Sequence, residues 1–129
     1  MSCTLQDYQL FMHRPHLKDI PVPDLPAGYG ERHYKEGDEA RWAALLNDVF
    51  GNWGVERLHR EFLDCVQWSP RRLTLVEQAS RIVAVSLAWE NGHLWPRSGV
   101  VHWVGVHEEH RRKGLGRCVT TRTLEYFAE

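Results

Sequence analysis

The feature that most constrains how this chain can fold is a change of hydrophobic period at Ser69-Pro70. Before it, Trp42, Leu45, Leu46, Val49 and Phe50 recur at the spacing of a helix that buries one face. Val55, Leu58, Phe62, Leu63 and Val66 repeat that spacing, which predicts a second helix from residue 55 to about residue 67. Asp38 stands where the first helix would be capped and Gly51 where it would stop. After Pro70 the period drops to two. "RRLTLVEQ" reads as a strand, "ASR" as a turn and "IVAVSLAWE" as a second, β-branched strand with Val83, Val85, Leu87 and Trp89 on one face. The loop "NGHLWPRSG" leads to a third strand over residues 100–106. A short strand over residues 29–34 precedes the helices, and a last helix closes the chain. Strands grouped apart from helices argue for an α+β fold with an antiparallel sheet.

At 129 residues the chain is read as a single domain. Its first 28 residues carry Pro15, Pro21, Pro23 and Pro26 with Gly28, a density that excludes helix and predicts an extended arm. The formal net charge of -1 provides no global field toward nucleic acid or membrane, so any anion site must be local. Cys3, Cys65 and Cys118 are odd in number and widely spaced, which predicts reduced thiols without a disulfide framework or zinc pair. The opening "MSCTLQDYQLFMHRP" lacks a basic segment followed by an apolar one, and no run is long enough to span a bilayer. A cytoplasmic protein without a membrane partner is expected.

Chemistry concentrates in "RRKGLGR", residues 111–117, which hold four basic residues, two glycines and no acid. Gly114 and Gly116 admit backbone angles closed to other residues and let a ligand approach the main chain. The first turn of the following helix presents N–H groups without internal partners at the positive end of its dipole. Amides of Lys113, Gly114, Leu115, Gly116 and Arg117 can thus surround a compact anion, with Arg111, Arg112 and Arg117 adding charge. Phosphate is the natural guest. Hydrogen bonds to charged groups contribute about 1.5–3 kcal/mol each. Three or four would reach the roughly 8 kcal/mol of a micromolar complex before entropic costs. The spacing is neither GxxxxGK[ST] nor GxGxxG. A solvated basic loop whose glycines merely mark a helix entry is the competing reading. A nucleic-acid patch finds no basic face elsewhere in the chain, so no nucleic-acid partner is expected.

Arg111-Arg112-Lys113-Gly114-Leu115-Gly116 resembles the [QR]-x-x-G-x-[GA] signature of the GNAT acetyltransferase superfamily. The preceding "VHWVGVHEEH" is similar to that family's fourth strand and its exit, and the element order over residues 29–129 agrees. The resemblance implies a mainly antiparallel, mixed sheet flanked by helices, with acetyl-coenzyme A as co-substrate and acetyl transfer to an amine-bearing small molecule or peptide. It implies that Val104, Gly105 and Val106 offer backbone groups to the pantetheine arm and that residues 111–117 hold the pyrophosphate. A general base removes the ammonium proton in such a reaction, and Glu90 and His102 are the candidates on the flanking strands. A solvated turn carboxylate and a hydrogen-bonded strand histidine are their alternative readings. His102, His107 and His110 fit no standard zinc spacing, so no metal is expected. Trp53 and Trp95 lie in loops and are candidates for an acceptor-pocket wall; the other tryptophans are read as core.

The sequence departs from that family after the cofactor helix, where the fifth strand and its partners would follow. Tyr126 lies inside that helix and is read as a packing side chain. The third long strand would then keep an open edge, which predicts a homodimer. A catalytically impaired form that only binds coenzyme A, or only dimerises, is the alternative function.

Overall fold

The segments of period two after Pro70 pair into one sheet whose middle strands are buried on both faces. The computed structural model describes residues 12–21, 23–90 and 97–129. Cys3, Trp95 and residues 91–96 of the expected loop lie outside that description. The elements run β1 (Gly30–His33), α1 (Glu39–Phe50), α2 (Val55–Leu58), β2 (Leu73–Gln78), β3 (Arg81–Glu90), β4 (Gly99–Val106) and α3 (Leu115–Ala128). The strands lie in the order β1-β2-β3-β4, and every pairing is antiparallel. The fold is thus α+β, with a helix-flanked antiparallel sheet.

Two apolar layers sandwich the sheet. Trp42, Leu45 and Leu46 of α1, with Leu58 and Phe62, cover Leu73, Leu75, Val85 and Leu87 on one face. Leu115 and Val119 of α3 cover Val76, Val83 and Ala84 on the other. The smaller side chains on that face leave room for a polar contact, where Thr123 Oγ1 donates to Ser86 Oγ at 2.7 Å. From the lead-in, Leu25 and Tyr29 join the α3-side cluster, and the described part of residues 13–28 holds no helix or strand.

Three local departures have physical causes. Val83 falls on the α3 side, away from Val85 and Leu87, because β3 carries an extra residue opposite the Val76–Glu77 step of β2. A bulge of that kind reverses the alternation beyond it. α2 is followed by a π-helical turn, His59–Leu63, closed by the Asp64 N–H to His59 O bond of 2.9 Å. The wider turn takes the stripe out of register, so Val66 is fully exposed although the expected helix buried it. Asp38 stands at the N-cap, but its carboxylate does not cap α1. It accepts instead from Arg32, Arg41 and the Lys35 N–H, all within 2.9 Å, with no exposed side-chain surface. Gly51 ends α1 at φ +78°, as its position predicts.

Candidate functional site

Trp103 has a left-handed backbone, φ +46°, which is costly for a bulky residue. It and Val104 together face Ser86, between the Val85–Gly105 and Leu87–His102 pairs. This bulge turns both His102 and Trp103 toward the α1–α2 face. The His102 ring lies 6.1 Å from that of Phe62, and the Trp103 ring lies 4.9 Å from that of Trp53. Beyond the bulge, Val104 and Val106 pack under α3. Gly105 faces α1, where an added Cβ would sit 3.5 Å from Phe50 and 3.6 Å from Val49.

After β4, the His107 N–H donates to Val83 O at 2.8 Å and a 3-10 turn, Glu108–His110, reverses the chain. Arg112 and Gly114 both take positive φ, +64° and +81°, on either side of Lys113. Left-handed residues placed this way turn successive N–H groups toward one concave side. Arg111 Nε fastens the loop to Val106 O at 3.1 Å. Backbone bonding resumes with Cys118 N–H to Gly114 O at 3.0 Å. Among the described residues, the N–H groups of residues 112–117 meet no protein acceptor. That is the unpaired first turn of a helix, extended backward by the loop. Gly116 lies where α3 touches β4, since an added Cβ would sit 3.4 Å from Val106.

Between the end of β4 and the start of α3 lies an open cleft of about 370 Å³. Val104, Gly105, Val106, Arg111, Arg112, Gly114, Leu115 and Gly116 line it. Leu115 contributes main chain there, because its side chain is buried under the sheet. Lys113 and Arg117, expected there as well, are exposed and do not line it; Lys113 Nζ lies 5.9 Å from the centre of the Tyr29 ring. Two further lining residues, Val49 and His110, were not assigned to this site from the sequence. Val49 reads there only as a helix-face residue, and nothing local ties it to a loop sixty residues later.

The two candidate bases are placed differently. His102 sits two positions before Val104 and is largely enclosed by aromatic rings. Burial lowers its pKa, against an opposing pull from the Glu61 charge. A neutral imidazole at pH 7 follows. Glu90 pairs in register with Gly99, at the far end of β4 from the cleft. Its carboxylate accepts from Arg72 at 2.9 Å, and its N–H donates to Gln67 Oε1 at 3.1 Å. The structure thus brings His102 to the neighbourhood of residues 104–116 and leaves Glu90 apart from them. Trp53 is 7% exposed, stacked on Phe62 at 5.6 Å and covered by the Arg57 guanidinium at 3.8 Å. His107, Glu109 and His110 bring one donor atom each within 4.8 Å of the others. His107 Nδ1 accepts the Glu109 N–H, and His110 Nδ1 is bonded to Tyr29 OH, so one ring nitrogen of each histidine is taken up locally.

A bulged edge strand, a left-handed loop and an unpaired helix start define the class: an α+β domain with a row of unpartnered N–H groups beside an edge strand of the described sheet. The Acetyltransferase (GNAT) family model matches residues 19–129, and the chain belongs to that family. It is 33% identical to the mycothiol acetyltransferase of Thermobispora bispora, over 90% of this chain and 42% of that protein. It is 32% identical to the mycothiol acetyltransferase of Streptomyces bingchenggensis, over 88% of this chain and 38% of that protein. The chain thus spans well under half the length of these curated relatives. A GCN5-related N-acetyltransferase from Sphaerobacter thermophilus shares the fold with a TM-score of 0.68, at 22% identity, over 82% of this chain and 34% of that one. The diaminobutyrate acetyltransferase of Paenibacillus lautus, solved with L-2,4-diaminobutyric acid and coenzyme A, matches with a TM-score of 0.57 at 18% identity, over 74% of this chain and 56% of that one.

Proposed function

We propose that this chain holds acetyl-coenzyme A in the β4–α3 cleft and transfers its acetyl group to an amine of a small molecule or peptide. The observation that carries this reading is the row of N–H groups over residues 112–117, without protein acceptors among the described residues, beside a cleft lined by Arg111 and Arg112. Three separate features agree with the co-substrate: phosphate-sized donors at one end, a strand edge alongside, and a basic rim in a chain of near-zero net charge. Acetyl-coenzyme A supplies an activated thioester, and the protein's part is to hold the acceptor beside it. The backbone of Val104, Gly105 and Val106 lines the path from the phosphate end toward His102. His102, neutral and next to that path, is the base favoured for taking the ammonium proton; Glu90 is the second choice because Arg72 holds it.

The acceptor panel starts from the names of the curated relatives, which puts mycothiol-related amines beside amino acids and peptide N-termini. Titration calorimetry with coenzyme A should give micromolar binding, and a thiol-release assay over the panel should give turnover. Gly114→Glu places a carboxylate in the mouth of the cradle and should weaken binding more than tenfold, with Gly114→Ala as the folding control. Absence of binding by the parent chain, or unchanged binding by Gly114→Glu, overturns the reading. Binding without turnover on any amine favours the second reading, a chain that binds coenzyme A without catalysis.

A further inference from the structure

We propose that Tyr29 and His110 form a positioning pair for the phosphate groups in the β4–α3 cleft, with the Tyr29 phenol fixing His110 as a neutral N–H donor to them. The inference rests on the cofactor reading above and adds residues which that reading does not use. Tyr29 OH lies 2.8 Å from His110 Nδ1, and the two rings meet edge to face at 5.7 Å, although 81 residues separate them. Tyr29 cannot wander. It packs in the apolar layer under α3, and its N–H turns back to Pro26 O.

The chemistry follows from the partners present. Among the described residues the phenol has His110 Nδ1 as its hydrogen-bond partner, and in the proposed arrangement the phenolic hydrogen goes to the Nδ1 lone pair. A neutral imidazole then carries its own hydrogen on Nε2. His110 lines the cleft and its Nδ1 is turned to Tyr29, so Nε2 is the ring nitrogen left to meet a ligand. Its surroundings keep it neutral. Burial lowers its pKa first, then the nearby His107, Lys113 and Arg81, with Glu109 pulling the other way. A neutral donor suits a place already crowded with positive charge.

The pair also braces the loop. Lys113 approaches the Tyr29 ring from one side while His110 is bonded to the phenol, so Tyr29 touches the residues that bracket Arg111 and Arg112. His107, one turn earlier, sits 3.4 Å from Arg81 of β3 and 3.9 Å from Asp48 of α1. The reversal of chain between β4 and α3 is thus held from the lead-in, from the sheet and from the opposite helix layer.

Coenzyme A affinity, measured on the full chain by calorimetry, tests the pair through Tyr29→Phe, His110→Ala, His110→Gln and the Tyr29→Phe/His110→Ala double variant. Loss of one such hydrogen bond should weaken binding about fivefold. Tyr29→Phe and His110→Ala should each show it, and the double variant should be no weaker than His110→Ala alone. His110→Gln, whose amide restores a neutral donor, should stay within about twofold of the parent. Pantetheine, which has no phosphate, should bind all variants alike. Imidazole nitrogen NMR of the ligand-free chain should find the hydrogen on Nε2 in the parent and an Nδ1 resonance that shifts in Tyr29→Phe as its hydrogen bond from the phenol is lost. Unchanged affinity of Tyr29→Phe, additive losses in the double variant, or a hydrogen on Nδ1 in the parent overturns the pair while leaving the cofactor reading intact. Absence of coenzyme A binding by the parent defeats both.

Discussion

Asp38 carries its charge without any exposed side-chain surface, and the residues around it explain how. Burial pushes the carboxyl up, but hydrogen bonds from Arg32 and the Lys35 N–H, with the charges of Arg32 and Arg41, outweigh it and leave the pKa below its ordinary value. Arg32 and Arg41 keep some exposure and can be solvated once the carboxylate is gone, so Asp38→Ala should cost about 1–3 kcal/mol in urea unfolding. Because the folded pKa lies below the unfolded one, this stabilisation is complete above about pH 4 and fades as the pH falls through the folded value. Unfolding curves taken down a pH series should therefore slope in acid for the parent and lose part of that slope in Asp38→Ala. Cys118 illustrates the opposite balance. Burial first, and its 3.0 Å contact with Glu31, push the thiol up to about 12. It should resist alkylation in the native protein while partly exposed Cys65 reacts, a contrast that mass spectrometry after limited labelling would read.

At the level of elements, the β2–β3 hairpin stores strain that its sequence does not need. Ala79 and Ser80 both adopt positive φ, +49° and +67°, the geometry of a type I′ turn in which Asn-Gly is preferred. The Ala79→Asn/Ser80→Gly variant should gain about 1 kcal/mol and a higher Tm by calorimetry. Gly99 makes the converse point. An added Cβ would lie 2.3 Å from the Phe127 ring, so Gly99→Ala must turn that ring aside and should lose about 1 kcal/mol. Element order, the antiparallel sheet and the glycine turn before α3 were legible in the sequence because their causes are local: period, capping residues and backbone freedom. Other features depend on where distant strands settle. The bulges at Val83 and Trp103, the π-helical turn that exposes Val66, and the Arg72–Glu90 contact carry no short-range signal.

For the molecule as a whole, the proposed cleft predicts that coenzyme A stabilises the folded chain. A ligand at a hundredfold excess over its Kd adds about 2.7 kcal/mol when it binds only the folded state. A thermal shift that rises with coenzyme A, and is absent in Gly114→Glu, would register the cradle without any catalytic assay. The core of the candidate site was readable because its donors belong to the main chain, and glycine with basic neighbours announces them. His110 escaped that reading because its role depends on Tyr29, 81 positions earlier. No helix among the described residues is long and apolar enough to cross a membrane.

β4 closes the described sheet on one side only, and every one of its residues except Gly105 keeps some exposure. Amides directed at β3 are locked in the ladder, whereas those on the outer rim face no further strand among the described residues, so deuterium uptake along Gly99–Val106 should run fast and slow by turns. The rhythm should stumble at Trp103 and Val104, where two residues share one partner. Anything that lies down along that rim, whether a thioester carrier or another strand, would erase the fast half of the pattern and report its own footprint.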